Sequence, residues 1–311
     1  MRFMIHTPVN LRGYMLDYVN TNLEFLEQKI GEKIEVFTPH DKLYSSQCTE
    51  QWLGRAFEND VVPDLMLTHA TEFASFSASQ IESFLSSTAC RYTQKNPLRK
   101  EFLPFTAHNC FFYPAFIVPL IMFYNPYKIK KSDLANSWTD LFNKKFKVLF
   151  PARDKPLSRV AGAYLNSLSS KDFQELQTRI TYEGSPANVI RMVCEGDYDI
   201  SINTLSFALM TKNQNIALNC PKEGFLILPQ VFAWKKESSE KLDFIADLFM
   251  TEDFHRYLND QEVWSCKDTL RMSGSELYGA ILKNWKGWDV FLREVSDFDN
   301  YDCSPKEKKD V

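Results

Sequence analysis

The sequence predicts an α/β protein built from two series of alternating strands and helices. In the first series, a short apolar run at 2–6, an amphipathic helix and further strand-like runs at 34–38 and 63–68 follow one another. In the second series, strands are expected at 146–150 and 198–202, with helices between them. Alternation at this spacing is typical of a parallel sheet with right-handed crossovers. Because no low-complexity linker separates the two series, we expect two lobes of similar size joined by extended strands.

The first helix has a clear periodic signal. Its apolar side chains recur at alternating spacings of three and four residues, and they are Leu16, Val19, Leu23, Leu26 and Ile30. Such a stripe is typical of a helix with one buried face. Gly31 follows directly, and a glycine just past the last turn favours a left-handed cap. A second helix is expected over 46–57.

Two further helix starts are visible in the second half of the chain. Ser185 and Pro186 predict an N-cap followed by proline at the first helical position, and Gly196 marks the end of that helix. Ser137 and Asp140 have capping-box spacing, which predicts a helix that begins at Ser137. Both signals support a second set of βα units.

The composition excludes several classes of protein. The 311 residues are 44% hydrophobic and 24% charged, which is typical of a globular chain and excludes a disordered or fibrous one. Lys and Arg total 36 against 40 for Asp and Glu, so a nucleic-acid partner is not expected. The longest apolar run, 115–123, contains Pro119 and is far shorter than the roughly 20 residues that span a bilayer. We therefore expect no transmembrane segment. We also expect the protein to be a monomer.

The cysteines and the N-terminus bear on the cellular compartment. The seven cysteines are scattered and form no CxxC pair; they are Cys48, Cys90, Cys110, Cys194, Cys220, Cys266 and Cys303. This pattern favours free, mostly buried thiols in a reducing compartment. No signal peptide follows Met1, because its apolar run passes at once into a polar stretch. We expect a cytoplasmic protein, or an extracytoplasmic one if a signal peptide has been removed.

The usual catalytic motifs are absent from the sequence. It contains no glycine-rich phosphate loop, no GxSxG and no HExxH, and its five histidines are dispersed. We therefore expect a protein that is not an enzyme and that needs no cofactor and no metal.

Polar side chains follow four of the predicted strands. They are Thr7, Asn10 and Arg12 after the first strand, Thr68, His69 and Thr71 after the third, Ser158 and Arg159 after the strand at 146–150, and Asn203, Thr204 and Ser206 after the strand at 198–202. In open α/β sheets, ligands bind outside the carboxyl ends of the strands. Ordinary helix capping explains any one of these loops, but their recurrence predicts a shared ligand-binding cleft.

Ser158 and Arg159 suggest the charge of that ligand. They are expected to open a helix whose N–H groups and partial positive charge favour an oxyanion. Ser158 would add a hydroxyl donor, and Arg159 a bidentate clamp. The alternative is that Ser158 is only an N-cap and Arg159 a solvated surface charge.

Several segments, in order along the chain, resemble the type II periplasmic-binding-protein superfamily. They are 121–127 (IMFYNPY), 137–146 (SWTDLFNKKF), 195–200 (EGDYDI), 221–224 (PKEG) and 251–258 (TEDFHRYL). The similarity is to its extracellular solute-binding proteins of ABC transporters, which include ferric-iron, polyamine and phosphonate binders.

The resemblance implies two lobes joined by two hinge strands, with the ligand in the cleft between them. Lobe one would comprise residues 1–110 and 225–311, and lobe two residues 111–224. The crossings would lie near 113–123 and 218–232.

One departure from the family pattern concerns iron. Ferric-binding relatives carry an adjacent tyrosine pair after the strand that corresponds to 199–203, whereas this chain has Asn203, Thr204 and no tyrosine in the loop that follows. Fe³⁺ prefers anionic oxygen ligands. Direct binding of ferric iron is therefore not expected.

We expect a solute-binding protein that captures a small polar, anionic ligand by hinge closure. It would act with an ABC permease, or as an intracellular carrier or sensor. The alternative is an enzyme on the same fold, similar to hydroxymethylbilane synthase or to pyrimidine synthases. That alternative requires a reactive cysteine or histidine facing the cleft, and Cys110 and Cys194 are the candidates.

Overall fold

The computed structural model of the chain describes residues 1–39, 52–107, 110–143, 146–210, 215–267 and 285–301. Its strands are β1 (Arg2–His6), β2 (Glu35–Phe37), β3 (Leu65–His69), β4 (Tyr113–Tyr124), β5 (Val148–Phe150), β6 (Ile180–Tyr182), β7 (Ile200–Thr204), β8 (Ala217–Asn219), β9 (Leu226–Trp234) and β10 (Trp264–Ser265). The predicted α/β class is confirmed, and the predicted strand at 2–6 is found with the expected bounds.

The α-helices lie between and after these strands. They are α1 (Val9–Ile30), α2 (Trp52–Glu58), α3 (Ala78–Phe84), α4 (Thr88–Lys95), α5 (Asp140–Asn143), α6 (Pro156–Leu168), α7 (Ser170–Gln177), α8 (Pro186–Glu195), α9 (Leu205–Met210), α10 (Asp243–Leu248), α11 (Glu252–Asp260) and α12 (Trp288–Asp299). Of the helix expected over 46–57, residues 46–51 lie outside the described residues. The described part of the chain contains no helix that is long and apolar enough to cross a membrane.

The strands form two parallel groups joined by two long antiparallel strands. The order is β2-β1-β3-β9-β4-β7-β5-β6, and β8 and β10 also pair with β4. β1 pairs in parallel with β2 and β3, and β5 pairs in parallel with β6 and β7. β4 and β9 run antiparallel to each other and to their outer neighbours. Two parallel groups with two crossing strands are the two-lobed fold that the sequence predicts.

The two lobes share one hydrogen-bonded path, which runs through the extended strands that join them. β4 has 12 residues and is buried along its whole length. It pairs with β9 from Tyr113 to Leu120 and with β7 from Leu120 to Tyr124. Because one strand is long enough to serve both groups, the ladder continues from β2 to β6 without a break.

Local signals explain several element boundaries. Gly31 ends α1 with φ 80°, and Gly196 ends α8 with φ 83°, so both predicted left-handed caps are confirmed. Ser185 caps α8 by accepting a hydrogen bond from the N–H of Asn188 at 3.3 Å. These positions favour glycine because an L side chain strains the backbone at positive φ.

The helix start predicted at Ser137 is wrong, because α5 begins at Asp140. Half of the expected capping box is present, since the N–H of Ser137 donates to the Asp140 carboxylate at 3.1 Å. The Ser137 hydroxyl accepts from the N–H of Thr139 at 3.2 Å and donates to the carboxylate of Glu223, from the turn before β9. A tertiary contact is thus added to the local capping bonds.

One pair of cysteines corrects the expectation of free thiols. Cys90 in α4 and Cys110 before β4 form a disulfide, and their Cα atoms lie 4.7 Å apart. Cys194 and Cys266 are free and buried, and Cys220 is free and exposed. Cys48 and Cys303 lie outside the described residues. The sequence spacing carries no signal for this pairing, which the fold creates by placing α4 beside the start of β4.

The last described helix, α12, contacts both lobes. At its start, Trp288 Nε1 donates to the carbonyl of Phe105 at 2.6 Å, in the segment before β4. Near its end, Phe298 packs against Gly162 of α6, where an added Cβ would lie 2.1 Å from the ring. Residues 225–311, which include α12, were assigned to lobe one. This helix also contacts α6 of lobe two.

Candidate functional site

The four polar loops named from the sequence meet between the lobes. Asn10, in the first turn of α1, donates through Nδ2 to the hydroxyl of Ser206 in α9 at 2.9 Å. Arg159 in α6 donates through Nη2 to the carbonyl of Thr71, just after β3, at 3.0 Å. These two contacts join the loops of the first strand series to those of the second.

Beneath these contacts lies a layer of buried polar side chains, which we call the inner polar layer. It consists of Thr7, Thr68, His69, Thr71 and Gln230, which are at most 4% exposed. Within the described ranges, the hydroxyls of the three threonines, Nδ1 of His69 and Oε1 of Gln230 have no hydrogen-bond partner. An unsatisfied buried polar group costs about 1–3 kcal/mol, so a cluster of them is unusual in a purely structural core.

His69 is the titratable member of the inner polar layer. Burial, and then the charges of Arg12 and Arg159, lower its pKa to about 3. The His6 ring lies 4.8 Å from it, centroid to centroid. The Nε1 of Trp52 donates to His6 Nδ1 at 3.0 Å, which fixes that nitrogen as an acceptor. His69 is therefore neutral at pH 7 and offers a hydrogen bond rather than a charge.

Arg159 is occupied by the protein itself. Its Nε and Nη2 donate to the two carboxylate oxygens of Asp299 at 3.0 and 2.6 Å. Its Nη1 lies 3.9 Å from the buried carboxylate of Glu72. The side chain is only 8% exposed. Arg159 is not the solvated surface charge of the alternative interpretation, and the bidentate clamp expected of it is already made with Asp299.

Ser158 does not cap its helix, because α6 begins at Pro156 with Lys155 as the N-cap. The Ser158 side chain is fully buried, and its hydroxyl donates to the carbonyl of Pro151 at 2.8 Å. The predicted helix start was thus two residues late, and the donor expected from Ser158 bonds to the backbone.

Two polar side chains of the loop after β7 are used in hydrogen bonds to nearby backbone groups. Asn203 Nδ2 donates to the carbonyl of Pro186 at 2.7 Å, and its Oδ1 accepts from the N–H of Thr204. The Thr204 hydroxyl accepts from the N–H of Phe207 at 3.2 Å. Arg12 in turn donates to the carbonyl of Thr7 at 3.1 Å. Among the described residues of this loop, Ser206 is the one that reaches across to the other lobe.

A cleft of ≈ 690 Å³ opens beside Arg159 and is lined from both strand series. Its charged residues are Arg55, Glu58, Glu72, Arg153, Asp154, Arg159 and Asp299. Glu72 and Arg159 are buried, whereas Glu58 and Asp154 are exposed. We call the buried part the inner end of the cleft and the exposed part its outer end. Of the residues predicted from the sequence, Arg159 alone lines this cleft.

Arg153, at the outer end, was missed by the sequence reasoning. Its Nη2 donates to the carbonyls of Phe298 and Tyr301, both at 2.7 Å. Its guanidinium carbon lies 4.7 Å from the centre of the Phe298 ring. The signal was present, since Arg153 follows the same strand, β5, whose loop drew attention to Ser158 and Arg159.

The two cysteines required by the enzyme alternative are not available as nucleophiles. Cys110 is in the disulfide with Cys90. Cys194 is buried, and burial followed by the charge of Glu195 raises the pKa of its thiol. A raised pKa disfavours the reactive thiolate. In the part of the chain that the structure describes, there is also no group of three or more His, Cys, Asp or Glu placed to hold a metal ion.

Comparison with known proteins places the chain in context. The profile of the family described as bacterial extracellular solute-binding protein matches residues 62–291. No curated protein matches the chain in sequence.

Several solved structures share the fold at low sequence identity. Iron-bound HitA from Pseudomonas aeruginosa is 14% identical, with a TM-score of 0.68 and coverage of 96% of each chain. The ferric binding protein from Campylobacter jejuni is 11% identical, with a TM-score of 0.70 and coverage of 96% of this chain and 97% of the other. The Trichodesmium protein IdiA (FutA), in complex with iron and citrate, is 13% identical, with a TM-score of 0.67 and coverage of 96% of each chain.

Proposed function

The chain belongs to the bacterial extracellular solute-binding protein family, and on this premise we propose that it captures a small polar, anionic ligand between its lobes. Closure of the lobes about β4 and β9 would bury the ligand. The observation that carries the proposal is the cleft of ≈ 690 Å³ lined from both lobes. Small-molecule sites are typically about 300–1,000 Å³, with a few well-placed polar groups.

The contacts between the lobes are consistent with closure on a ligand. Asn10 with Ser206, and Arg159 with Thr71, are hydrogen bonds that require the lobes to be close together. Thr71, a member of the inner polar layer, takes part in the second of these contacts. Closure would bring the two walls of the cleft, one with α2 and the other with Arg153 and Arg159, against one ligand.

We further propose that the protein works outside the cytoplasm and passes its ligand to an ABC permease. Members of its family are extracellular solute-binding proteins. The disulfide between Cys90 and Cys110 supports this location, because disulfides persist in oxidising compartments and are rare in the cytosol. This proposal replaces the expectation of a cytoplasmic carrier or sensor.

The ligand we propose is not free ferric iron, although the three solved structures named above are iron-bound or ferric-binding proteins. The loop after β7 offers neutral oxygens, and Asn203 and Thr204 use theirs for local capping. Fe³⁺ prefers anionic oxygen ligands. When ferric citrate is added, we expect no phenolate-to-iron absorption band; a purple 1:1 complex would contradict this.

Native mass spectrometry of the protein as purified tests the proposed function. We expect a fraction of the protein to carry one small molecule, which is released when the protein unfolds. A spectrum with the bare protein mass alone, under conditions that preserve known ligand complexes, would contradict the proposal.

A further inference from the structure

We propose that Arg153 binds the oxyanion of the ligand, a carboxylate, phosphonate or sulfate group, at the outer end of the cleft. The inference rests on the proposed function and goes further, since it assigns the anion site to a residue other than Ser158 and Arg159. Those two side chains are occupied by Pro151 and by Asp299. Arg153 lies in the connection between β5 and α6, just before the helix that holds those two residues, and it lines the same cleft.

The position of Arg153 is fixed by uncharged groups. Two carbonyls at the end of α12 accept from Nη2, and the Phe298 ring lies under the guanidinium. These contacts orient the side chain without neutralising it by a carboxylate. An arginine held in place in this way loses little conformational freedom when an anion binds.

Among the described residues, the charge of Arg153 is not balanced by an ion pair. No Asp or Glu in those ranges lies within salt-bridge distance of its guanidinium, whereas Arg159 pairs with both Asp299 and Glu72. A cation that lines a cleft without a counter-ion favours an anionic ligand, and an oxyanion would balance its charge.

Isothermal titration of ligand-stripped protein tests this assignment, with phosphate, sulfate and citrate as probes. We expect at least one probe to bind the unaltered protein at millimolar concentration or better. Arg153→Gln should weaken that binding by about ten- to hundredfold, as expected for the loss of a hydrogen bond to a charged group. Arg153→Lys keeps the charge and should lose less. The matched control is Arg191→Gln, at an exposed residue of α8 away from the cleft, which should bind like the unaltered protein.

The salt dependence of binding separates an anion contact from a structural effect. Affinity of the unaltered protein should fall as sodium chloride is raised, and the Arg153→Gln variant should show a weaker dependence. The assignment is overturned if Arg153→Gln binds the probes as well as Arg191→Gln does, or if none of the three probes binds. If the co-purified small molecule stays bound to Arg153→Gln with unchanged affinity, the proposed function stands and only this assignment fails.

Discussion

The inner and outer ends of the cleft each contain an arginine, Arg159 in α6 and Arg153 just before that helix, and their surroundings give these arginines different roles. Arg159 is 8% exposed and faces two carboxylates. Arg153 is half-buried and faces two carbonyls and a ring. The end of α12 supplies partners to both, through the Asp299 side chain and through backbone carbonyls. A cation in this cleft is available to a ligand only where a carboxylate of the protein has not already neutralised it. Arg153 meets this condition and Arg159 does not.

The largest expected effect comes from the inner end. Arg159→Met should lower the free energy of unfolding by about 3–5 kcal/mol, because it removes a buried guanidinium that pairs with Asp299 and lies 3.9 Å from the buried Glu72 carboxylate. Urea denaturation of both proteins measures the difference. The double variant Glu72→Gln with Arg159→Met should recover part of the loss, since both charges are then removed. A loss below about 1 kcal/mol in the single variant would mean that Arg159 is not a structural residue.

The pH dependence of stability gives a second test of the buried side of the molecule, through His69. His69 has its pKa lowered to about 3 by burial and by Arg12 and Arg159, so between that pH and about 6.5 the unfolded chain binds more protons than the folded one. This contribution to stability is complete above about pH 6.5 and is lost as the pH falls towards 3, at about 1.4 kcal/mol for each pH unit.

At pH 5, His69 should therefore cost about 2 kcal/mol of stability relative to neutral pH. His255, whose pKa is lowered to about 4 chiefly by burial, adds a similar slope and remains as an internal control. The measurement is the difference in stability between pH 7.5 and pH 5 for the unaltered protein and for His69→Gln. Equal differences in the two proteins would show that burial does not lower the pKa of His69.

A substitution at the contact between α6 and α12 tests how closely α12, whose end bonds to both arginines, packs against lobe two. Gly162→Ala should destabilise the protein by about 1–2 kcal/mol, because the added methyl group overlaps the Phe298 ring and this outweighs the gain in helix propensity. Thermal or urea unfolding measures it. In a Phe298→Leu background the same substitution should cost less. A stabilised Gly162→Ala protein would contradict the close packing of α12 on lobe two.

The smallest expected effect on stability is at the outer end. Arg153→Gln should cost about 1 kcal/mol, because water can replace part of what the two carbonyls lose. In urea denaturation, Arg153→Gln should lower the free energy of unfolding clearly less than Arg159→Met does. If it proves as destabilising as Arg159→Met, the two arginines do not differ in role.

The sequence predicted the fold well because its signals are local. Of the predicted stripe, Val19, Leu26 and Ile30 are buried, and Leu11 and Met15 complete the buried face. Gly31 caps the helix, β1 has the expected bounds, and β7 begins two residues later than expected, at Ile200. All these signals depend on residues close together in the chain. The convergence of four loops also followed from a general rule, that the carboxyl ends of parallel strands meet at one edge.

The partners of the site residues were not predictable in the same way. Arg159 is neutralised by Asp299, which is 140 residues away in the sequence. Cys90 and Cys110 pair because α4 packs beside β4, which no spacing reveals. The start of α6 is a different case, because Pro156 carries the same signal for a first helical turn as Pro186 does in α8. Lys155, unlike Ser185, makes no side-chain cap, so the signal at α6 is the proline alone.

Hydrogen–deuterium exchange tests the central claim, that a ligand is held between the two walls of the cleft. Exchange is compared for the stripped protein with and without the small-molecule fraction released from the purified protein. We predict slower exchange both in α2, on the wall from lobe one, and in the turn and first residues of α6 at 153–159, with no change in α11. Slower exchange in one wall alone, or in α11 and not in the cleft, would contradict the account.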